Sequence, residues 1–288
     1  MLRHAGERDV SARIDHLVML VADLERGRAA LEALGFQLTA RGEHAHFGTA
    51  NHLAVLDHTY LELLSVVEPR AENALFRERV ARSPGFCALA MATTDVTREA
   101  ARLRRLGLPA SDPIDFGRPV VVEGEALEAR FRVLMWDSAP HAGVMMFYCE
   151  HRTPQLIWRS TWQHHPNGAQ ALTAVTIAAP YPRRLAAEYA RLWDCPAPEG
   201  ERDDTRLILE GQEVVISDMS TREGPLQPAA DAQAAARMVC ASLRVASLPA
   251  ARARVARSGG VERCEDAAGR IVVRHTDLRG VAFELRDH

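Results

Sequence analysis

Lysine is absent from this 288-residue chain, so arginine supplies all 35 basic side chains. Without lysine the chain can form neither a lysine Schiff base nor the lysine-bearing loop that binds nucleotide phosphates. The 38 acidic residues leave a formal charge of only −3, and no long block of one sign occurs. This balance argues against nucleic acid or an anionic membrane surface as a partner.

Cysteine pairs and long apolar runs are also missing. The five cysteines never form a Cys-x-x-Cys pair, which argues against a disulfide framework or a structural zinc knuckle. The first twelve residues lack the apolar core of a signal peptide, and the longest apolar runs are too short to cross a bilayer. We therefore expect a cytoplasmic globular protein. Apolar residues make up 47% of the chain, enough for one large core or two smaller ones.

One pattern occurs four times along the chain: an apolar strand, a capped helix and then further strands. The four units begin near residues 14, 86, 171 and 238. In three of them a helix-capping residue and a helix-ending glycine stand twelve residues apart. These pairs are Asp23 and Gly35, Asp95 and Gly107, and Ser247 and Gly259. The third unit has Pro180 at the cap position. Because β-rich runs complete each unit, the sequence predicts an α+β fold of four βαβββ modules.

Five segments in the first 169 residues resemble a known superfamily. They are IDHLVMLVADL (14–24), HAHFGTANHLAVL (44–56), YLELL (60–64), CEHRTPQLIW (149–158) and WQHHPNGA (162–169). Together with the modules, they are similar to the vicinal oxygen chelate superfamily of glyoxalase I, bleomycin resistance proteins and extradiol dioxygenases, and most of all to its glyoxalase-like branch. The resemblance implies that the modules pair into two curved mixed-sheet clefts. It also implies a divalent metal bound by the first and last strands of two facing modules.

The module spacing predicts the domain organisation. We expect an N-terminal glyoxalase-like domain over residues 12–151, a linker over 152–170 and a more diverged C-terminal glyoxalase-like domain over 171–288. A chain of four modules can form both clefts internally, so monomer and homodimer both stay open.

Strand alternation selects the residues of the first cleft. If His16 faces the cleft, Leu17 and Met19 face the covering helix. The same alternation places Glu62 in the cleft, where a buried carboxylate is costly without a partner. The resemblance implies that this partner is a divalent cation, and Mn, Ni, Zn, Fe and Mg all suit such ligands.

The second module is expected to complete the ligand set. Its residue equivalent to His16 is Ala88, which cannot bind a metal. Its last strand offers Glu150, so the predicted metal ligands are His16, Glu62 and Glu150, with open positions for water or substrate. A register shift of one residue would present His151 instead of Glu150. Glu62 and Glu150 are also candidates to move a proton.

A histidine-rich segment supplies further candidates. His44 and His46 can exchange protons near neutral pH, and Gly48 allows a ligand to approach the backbone. The alternative is a turn whose polar side chains brace the neighbouring strand. We predict His44 as a catalytic residue. The run HHPNG indicates a turn, in which ligand contact is less expected for His164 and His165.

Aromatic side chains could wall an apolar pocket, although core packing is the default for each of them. They are Trp136, Trp158, Trp162, Phe147 and Tyr148. In the C-terminal half the positions equivalent to the predicted ligands hold Thr173, Val215, Cys240 and Glu284, and only the last two could bind a metal. We interpret that half as structural.

Three functions are compatible with these residues. The leading hypothesis is a metal-dependent lyase or isomerase that coordinates two neighbouring oxygens of a small organic substrate. A metal-free protein that sequesters a small molecule in the same cleft is the alternative, favoured by Ala88. An extradiol-type dioxygenase ranks last, because the C-terminal pair usually carries the iron site in that group and lacks the ligands here.

Overall fold

Two curved mixed sheets, with helices against one face of each, form the computed structural model of the protein. The structure describes residues 12–135, 144–200, 204–218, 236–265 and 270–287. The first sheet has eight strands and the second has seven. This is the α+β architecture of paired βαβββ modules that the sequence predicts.

The N-terminal half contains two modules joined by an extra helix. In chain order its elements are β1 (Ile14–Leu20), α1 (Leu24–Ala33), β2 (Gly42–His44), β3 (Thr49–Val55), β4 (Tyr60–Val66), α2 (Ala74–Arg82), β5 (Gly85–Ala92), α3 (Val96–Arg105), β6 (Ile114–Val122), β7 (Glu125–Met135) and β8 (Met145–His151). The strand order is β2-β3-β4-β1-β5-β8-β7-β6, so the modules meet at β1 and β5. The sheet curls until β2 approaches β6, which closes its concave face into a cleft.

The C-terminal half repeats this plan with fewer strands. Its elements are β9 (Ala169–Ala179), α4 (Pro182–Trp193), β10 (Asp204–Leu209), β11 (Gln212–Asp218), β12 (Arg237–Val245), α5 (Leu248–Val255), β13 (Val261–Glu265), β14 (Ile271–His275) and β15 (Phe283–Arg286). The strand order is β10-β11-β9-β12-β15-β14-β13. Within the described residues the third module has two strands after its helix, where the other modules have three.

The first two predicted helix caps are confirmed. The Asp23 side chain accepts a hydrogen bond from the Arg26 amide, and Asp95 accepts from the amides of the first turn of α3. Gly35 and Gly107 follow these helices with φ of +87° and +76°. Glycine adopts this left-handed conformation at no steric cost, which is why it ends both helices.

The later helices depart from the predicted spacing. Helix α4 is capped by Tyr181 and begins at Pro182, not after a cap at Pro180, because a proline with fixed φ and no N–H suits the first helical position. Ser247 does cap α5, but the prediction that Gly259 ends this helix is wrong. The chain tightens at Arg257 into hydrogen bonds three residues apart, so α5 already ends at Val255.

The two faces of the first sheet carry different side chains, as alternation predicts. Leu17, Met19 and Leu63 face the helices and join a core that includes Leu31 of α1. Burying each such side chain contributes roughly 1.5–3 kcal/mol to folding. Val18 lies on the opposite, concave face. His16 is therefore not needed for packing against the helices, and its side chain can face the cleft.

The two halves of the chain pack against each other. Phe36 after α1 and Phe283 of β15 have ring centroids 5.1 Å apart, and one apolar core contains residues of both halves. The segment between the sheets forms short 3₁₀ turns and then the predicted turn, in which Gly168 has a φ of +75°. The predicted domain boundaries stay predictions. No helix in the described part of the chain has the length and apolarity needed to span a membrane.

Candidate functional site

The concave face of the first sheet encloses a mostly apolar cleft. Its cavity volume is about 120 Å³. Aromatic and aliphatic side chains from both modules form most of its wall. The polar side chains that line it are those of His16, His44, Thr49, Asn51, Tyr60, Glu62, Glu72, Arg118 and Cys149. Two of the predicted metal ligands, His16 and Glu62, thus share one cavity.

A β-bulge in β1 sets the geometry of His16. The pairing of β1 with β5 shifts between Ile14 and His16, so that Asp15 is an extra residue on its strand. A bulge places two residues opposite one and re-aims their side chains. As a result, Asp15 Oδ1 lies 2.6 Å from Nδ1 of His16, although alternation predicts that neighbouring residues face apart. The His16 ring also stacks on Tyr60 at 4.4 Å.

Asp15 fixes the tautomer of His16. Burial alone would raise the pKa of Asp15, but the charge of His151 and hydrogen bonds from His151 and His16 lower it well below its usual range. A carboxylate only accepts hydrogen bonds, so Nδ1 of His16 carries a proton. Its other ring nitrogen, Nε2, lies 3.6 Å from Oε2 of Glu62.

Glu62 is held by neutral groups. Asn51 donates from Nδ2 to Oε1 of Glu62 at 2.6 Å, and His44 Nε2 lies 4.0 Å from the same oxygen. His44 in turn contacts the Thr49 hydroxyl through Nδ1 at 3.0 Å. Burial lowers the pKa of His44 to about 4, so this imidazole is neutral near pH 7. The structure thus places His44 beside Glu62, and its predicted catalytic role stays a prediction.

The prediction that Glu150 faces the cleft is wrong. Its carboxylate accepts a hydrogen bond from the Val96 amide at the start of α3 and pairs with Arg152 at 2.7 Å, both on the helix side. In β8 it is Cys149 and His151 that lie on the cleft side. Because faces alternate, a one-residue error in register exchanges Glu150 for His151.

The same register places Phe147 where the second module would present a ligand. His16 pairs with Tyr60 in β1 and β4, and Ala88 pairs with Met145 in β5 and β8. Glu62 and Phe147 each follow two residues later and are therefore equivalent. The Phe147 ring contacts the His16 ring edge-on, at 5.3 Å between centroids. The second module thus has alanine at the position equivalent to His16 and phenylalanine at the position equivalent to Glu62.

The donors present fit a cation site built from the first module. His16 Nε2 and Glu62 Oε2 face each other, and the Asp15 carboxylate orients the imidazole as in many metal centres. His44 is a possible third donor, because its Nε2 lies 4.0 Å from Oε1 of Glu62. These contacts support His16 and Glu62 as cation ligands and do not support Glu150.

A second group of potential ligands lies beside this pair. Ligand atoms of Asp15, Cys149 and His151 lie within 4.8 Å of one another, and no other group of three or more His, Cys, Asp or Glu in the described ranges is this compact. Asp15 Oδ1 already accepts from His151 Nε2 at 3.0 Å, however, and burial raises the pKa of the Cys149 thiol. The group is therefore a hydrogen-bonded support for His16.

The remaining predicted residues lie apart from the cleft or brace it. His46 and His164 are exposed, whereas His165 is buried and bridges the Gln37 amide and the Val55 carbonyl. Tyr148, one of the candidate pocket residues, lies on the helix side, where Arg102 of α3 donates to its hydroxyl.

Two of the predicted aromatic residues belong to the cleft side. Trp158 packs on His151 with centroids 4.6 Å apart, and Trp162 joins the same apolar cluster. Trp136 lies outside the described residues.

In the C-terminal half the one acid at an equivalent position, Glu284, is already neutralised. Glu284 accepts from the Ser242 hydroxyl and pairs with Arg270 and Arg286. The structure thus gives this half no free carboxylate at the equivalent position, in agreement with a structural role.

Three residues of the site were missed by the sequence reasoning. The position of the Asp15 side chain beside His16 depends on a bulge in β1, and no pattern in the sequence predicts this bulge. Asn51 lies in β3, where its buried side chain holds Glu62. Arg118 could have been found, because it alternates with Phe116 and Val120 on the apolar face of β6.

The fold and cleft are those of the vicinal oxygen chelate superfamily, as the sequence predicts. The glyoxalase-like domain family model matches residues 14–193, more than half of the chain, so the chain belongs to that family. No curated protein sequence matches it.

Solved structures share the fold at low sequence identity. A hypothetical protein from Staphylococcus aureus is 15% identical with a TM-score of 0.67, over 96% of this chain and 99% of that one. A mutant of 4-hydroxymandelate synthase from Streptomyces coelicolor is 14% identical with a TM-score of 0.57, over 96% and 92%. A fusion of a xylose isomerase-like TIM barrel with 4-hydroxyphenylpyruvate dioxygenase is 14% identical with a TM-score of 0.54, over 94% of this chain and 48% of that one.

Proposed function

We propose that the protein is a glyoxalase-like enzyme of lyase or isomerase type that acts on a small organic molecule in the N-terminal cleft. The observation that carries the proposal is the Asp15, His16 and Glu62 arrangement. It combines a tautomerically fixed imidazole with a carboxylate whose oxygen lies 3.6 Å away in the same cavity. Both side chains are buried, so their lone pairs face substrate and not bulk solvent.

His16 Nε2 and Glu62 Oε2 would hold a divalent cation of the Mn, Ni, Zn, Fe or Mg group. Such a cation, when bound, supplies Lewis-acid polarisation of two neighbouring substrate oxygens. Asp15 keeps the imidazole in the binding tautomer and orientation. Asn51 holds one oxygen of Glu62, which leaves the other directed at the cleft.

Proton transfer falls to the groups around Glu62. Neutral His44, with Nε2 4.0 Å from Oε1 of Glu62, can accept a proton that leaves a carbon next to a polarised carbonyl. The apolar walls would limit the access of water to a bound substrate.

A metal-free binding protein is the second candidate, and one observation favours it. Ala88 and Phe147 occupy both ligand positions of the second module, so a cation would have protein ligands from one module only. A pocket with such aromatic walls could hold an apolar compound without a metal.

Metal content and thermal stability distinguish the two candidates. Protein purified without chelator is analysed for metal as wild type, His16→Ala, Glu62→Gln and Glu150→Gln. The matched control is Glu150→Gln, because it makes the same chemical change on the helix face of the sheet. The proposal expects both cleft variants to lose at least tenfold in metal affinity while the control retains it. His151→Ala tests whether any metal resides in the Asp15, Cys149 and His151 group instead.

The outcomes separate cleanly. If neither cleft variant changes the metal content, the hypothesis of a metal-dependent enzyme is ruled out. If small aromatic compounds then raise the melting temperature in the presence of EDTA, the metal-free protein is favoured. Reversible stabilisation by a divalent metal, lost in Glu62→Gln, supports the enzyme.

A further inference from the structure

One arginine in the cleft has no hydrogen-bond or ion-pair partner in the part of the chain that the structure describes. Arg118 of β6 is only 3% exposed, yet it forms no ion pair with any described residue. Its Nη2 is buried and has no hydrogen-bond acceptor among the described groups. A buried guanidinium without an acceptor is costly, because water no longer solvates it. Such a group is retained where a ligand provides what the protein does not.

Glu62 does not supply the missing partner. One of its oxygens accepts from Asn51, and no ion pair within 4.0 Å joins either oxygen to Arg118 among the described residues. Glu62 and Tyr60 act on the guanidinium at longer range, and burial lowers its pKa. A guanidinium nevertheless stays protonated in proteins.

The surrounding chain makes room for the guanidinium. Gly42 of β2 lies beneath it, and a Cβ at this position would collide with Nη1 of Arg118. The same Cβ would lie 2.6 Å from Oδ1 of Asn51. The guanidinium of Arg118 and this oxygen therefore both lie next to Gly42. Asn51 Oδ1 is also buried without a described donor, since its amide nitrogen is committed to Glu62.

We propose that Arg118 binds the carboxylate of an acidic substrate, and that Asn51 Oδ1 accepts a hydrogen bond from a hydroxyl next to that carboxylate. The proposal rests on the N-terminal cleft being the substrate site, as proposed above. It assigns the substrate to small hydroxy acids with an apolar body. The carboxylate accepts from Nη2, the hydroxyl donates to Oδ1, and the apolar body contacts Phe116 and Phe131. Both unpartnered groups are thereby satisfied at once.

Three matched ligands test this assignment by isothermal titration calorimetry. They are 3-phenyllactate, 3-phenylpropanoate and 3-phenylpropanamide, which remove the hydroxyl and then the charge. All titrations contain EDTA, so the result does not depend on a metal. The wild type should bind the unsubstituted acid at least about tenfold more tightly than the amide, and the hydroxy acid more tightly still.

Variants assign the preference to its residue. In Arg118→Met the acid should bind no better than the amide, whereas Arg118→Lys should keep part of the preference because it keeps the charge. The matched control is Arg132→Met on the neighbouring strand β7, where Arg132 faces the helices and pairs with Asp115 at 3.4 Å. Circular dichroism verifies that each variant is folded.

The proposal is overturned if the wild type binds the acid no more tightly than the amide. It is also overturned if the preference for the acid survives in Arg118→Met, or if Arg132→Met abolishes that preference. Failure of all three compounds to bind also overturns it for this substrate class. Failure of the proposed function is a different result, because it appears as metal content that His16→Ala and Glu62→Gln leave unchanged.

Discussion

Asp15→Asn tests the arrangement on which the site depends. The carboxylate accepts from His16 Nδ1 at 2.6 Å and from His151 Nε2 at 3.0 Å, and its residue is 2% exposed. A hydrogen bond to a charged group contributes about 1.5–3 kcal/mol. The asparagine oxygen can keep one of the two bonds, but its NH₂ group cannot accept the other, so one imidazole N–H loses its partner. We therefore expect the free energy of unfolding to fall by about 2–4 kcal/mol.

Urea denaturation at pH 7 measures this loss. Asp115→Asn is the control, because the same substitution removes a largely exposed carboxylate that pairs with Arg132 at 3.4 Å. It should change stability by no more than about 0.5 kcal/mol. If Asp15→Asn is as stable as this control, the carboxylate does not hold the two imidazoles, and the tautomer argument for His16 fails with it.

The pH dependence gives a second check on Asp15. Its pKa is far below the reference value of 3.8, so its stabilisation is complete above about pH 4. Below that pH the unfolded chain takes up a proton that the folded protein does not, and the contribution is lost as the pH approaches the folded pKa. The gap between wild type and Asp15→Asn should thus be constant from pH 7 to 5 and narrow below pH 4. A gap that is unchanged at pH 3 would refute this linkage.

Two further predictions concern the wall of the cleft. Gly42→Ala should displace Arg118, reduce the preference for acids over amides and lower stability by about 1–3 kcal/mol in calorimetry and urea denaturation; Gly259→Ala, with open space at the added Cβ, should do neither. The ring resonances of His44 should show no titration from pH 8 to 5.5, because burial lowers its pKa from 6.5 to about 4. Since the unfolded state binds the proton first, His44 should lower stability as the pH falls from 6.5 to 4, and His44→Gln should remove that part of the pH dependence. A His44 midpoint near 6.5 would contradict its burial.

The fold was predictable because its signals are local and repeated. Asp23 and Asp95 cap helices, and Gly35 and Gly107 follow them, through contacts within a few residues. The diverged modules were predicted less well for the same reason. At α5 no strong amphipathic pattern extends the helix to Gly259, so local hydrogen bonding ends it earlier.

The site was predictable only where alternation is unbroken. His16 and Glu62 lie in the cleft, and the pairing of β1 with β4 brings them together in register. The prediction for Glu150 was wrong because the pairing of β8 with β5 decides which residues of β8 face the cleft. No sequence pattern within β8 reveals this pairing. The contact of Asp15 with His16 was not predicted, because the bulge adds a residue to β1 and breaks the period of two.

The charges of the two halves explain why only one cleft is a candidate for chemistry. In the C-terminal half Glu284 is neutralised by Arg270 and Arg286, so its charge is used within the protein. In the N-terminal half Glu62 is held by the neutral Asn51, and Arg118 has no ion-pair partner among the described residues. Both halves bury an acid, but only in the C-terminal half does the acid pair with arginine. Unpaired buried charges destabilise a fold, so their separation in one cleft points to a bound molecule that interacts with both.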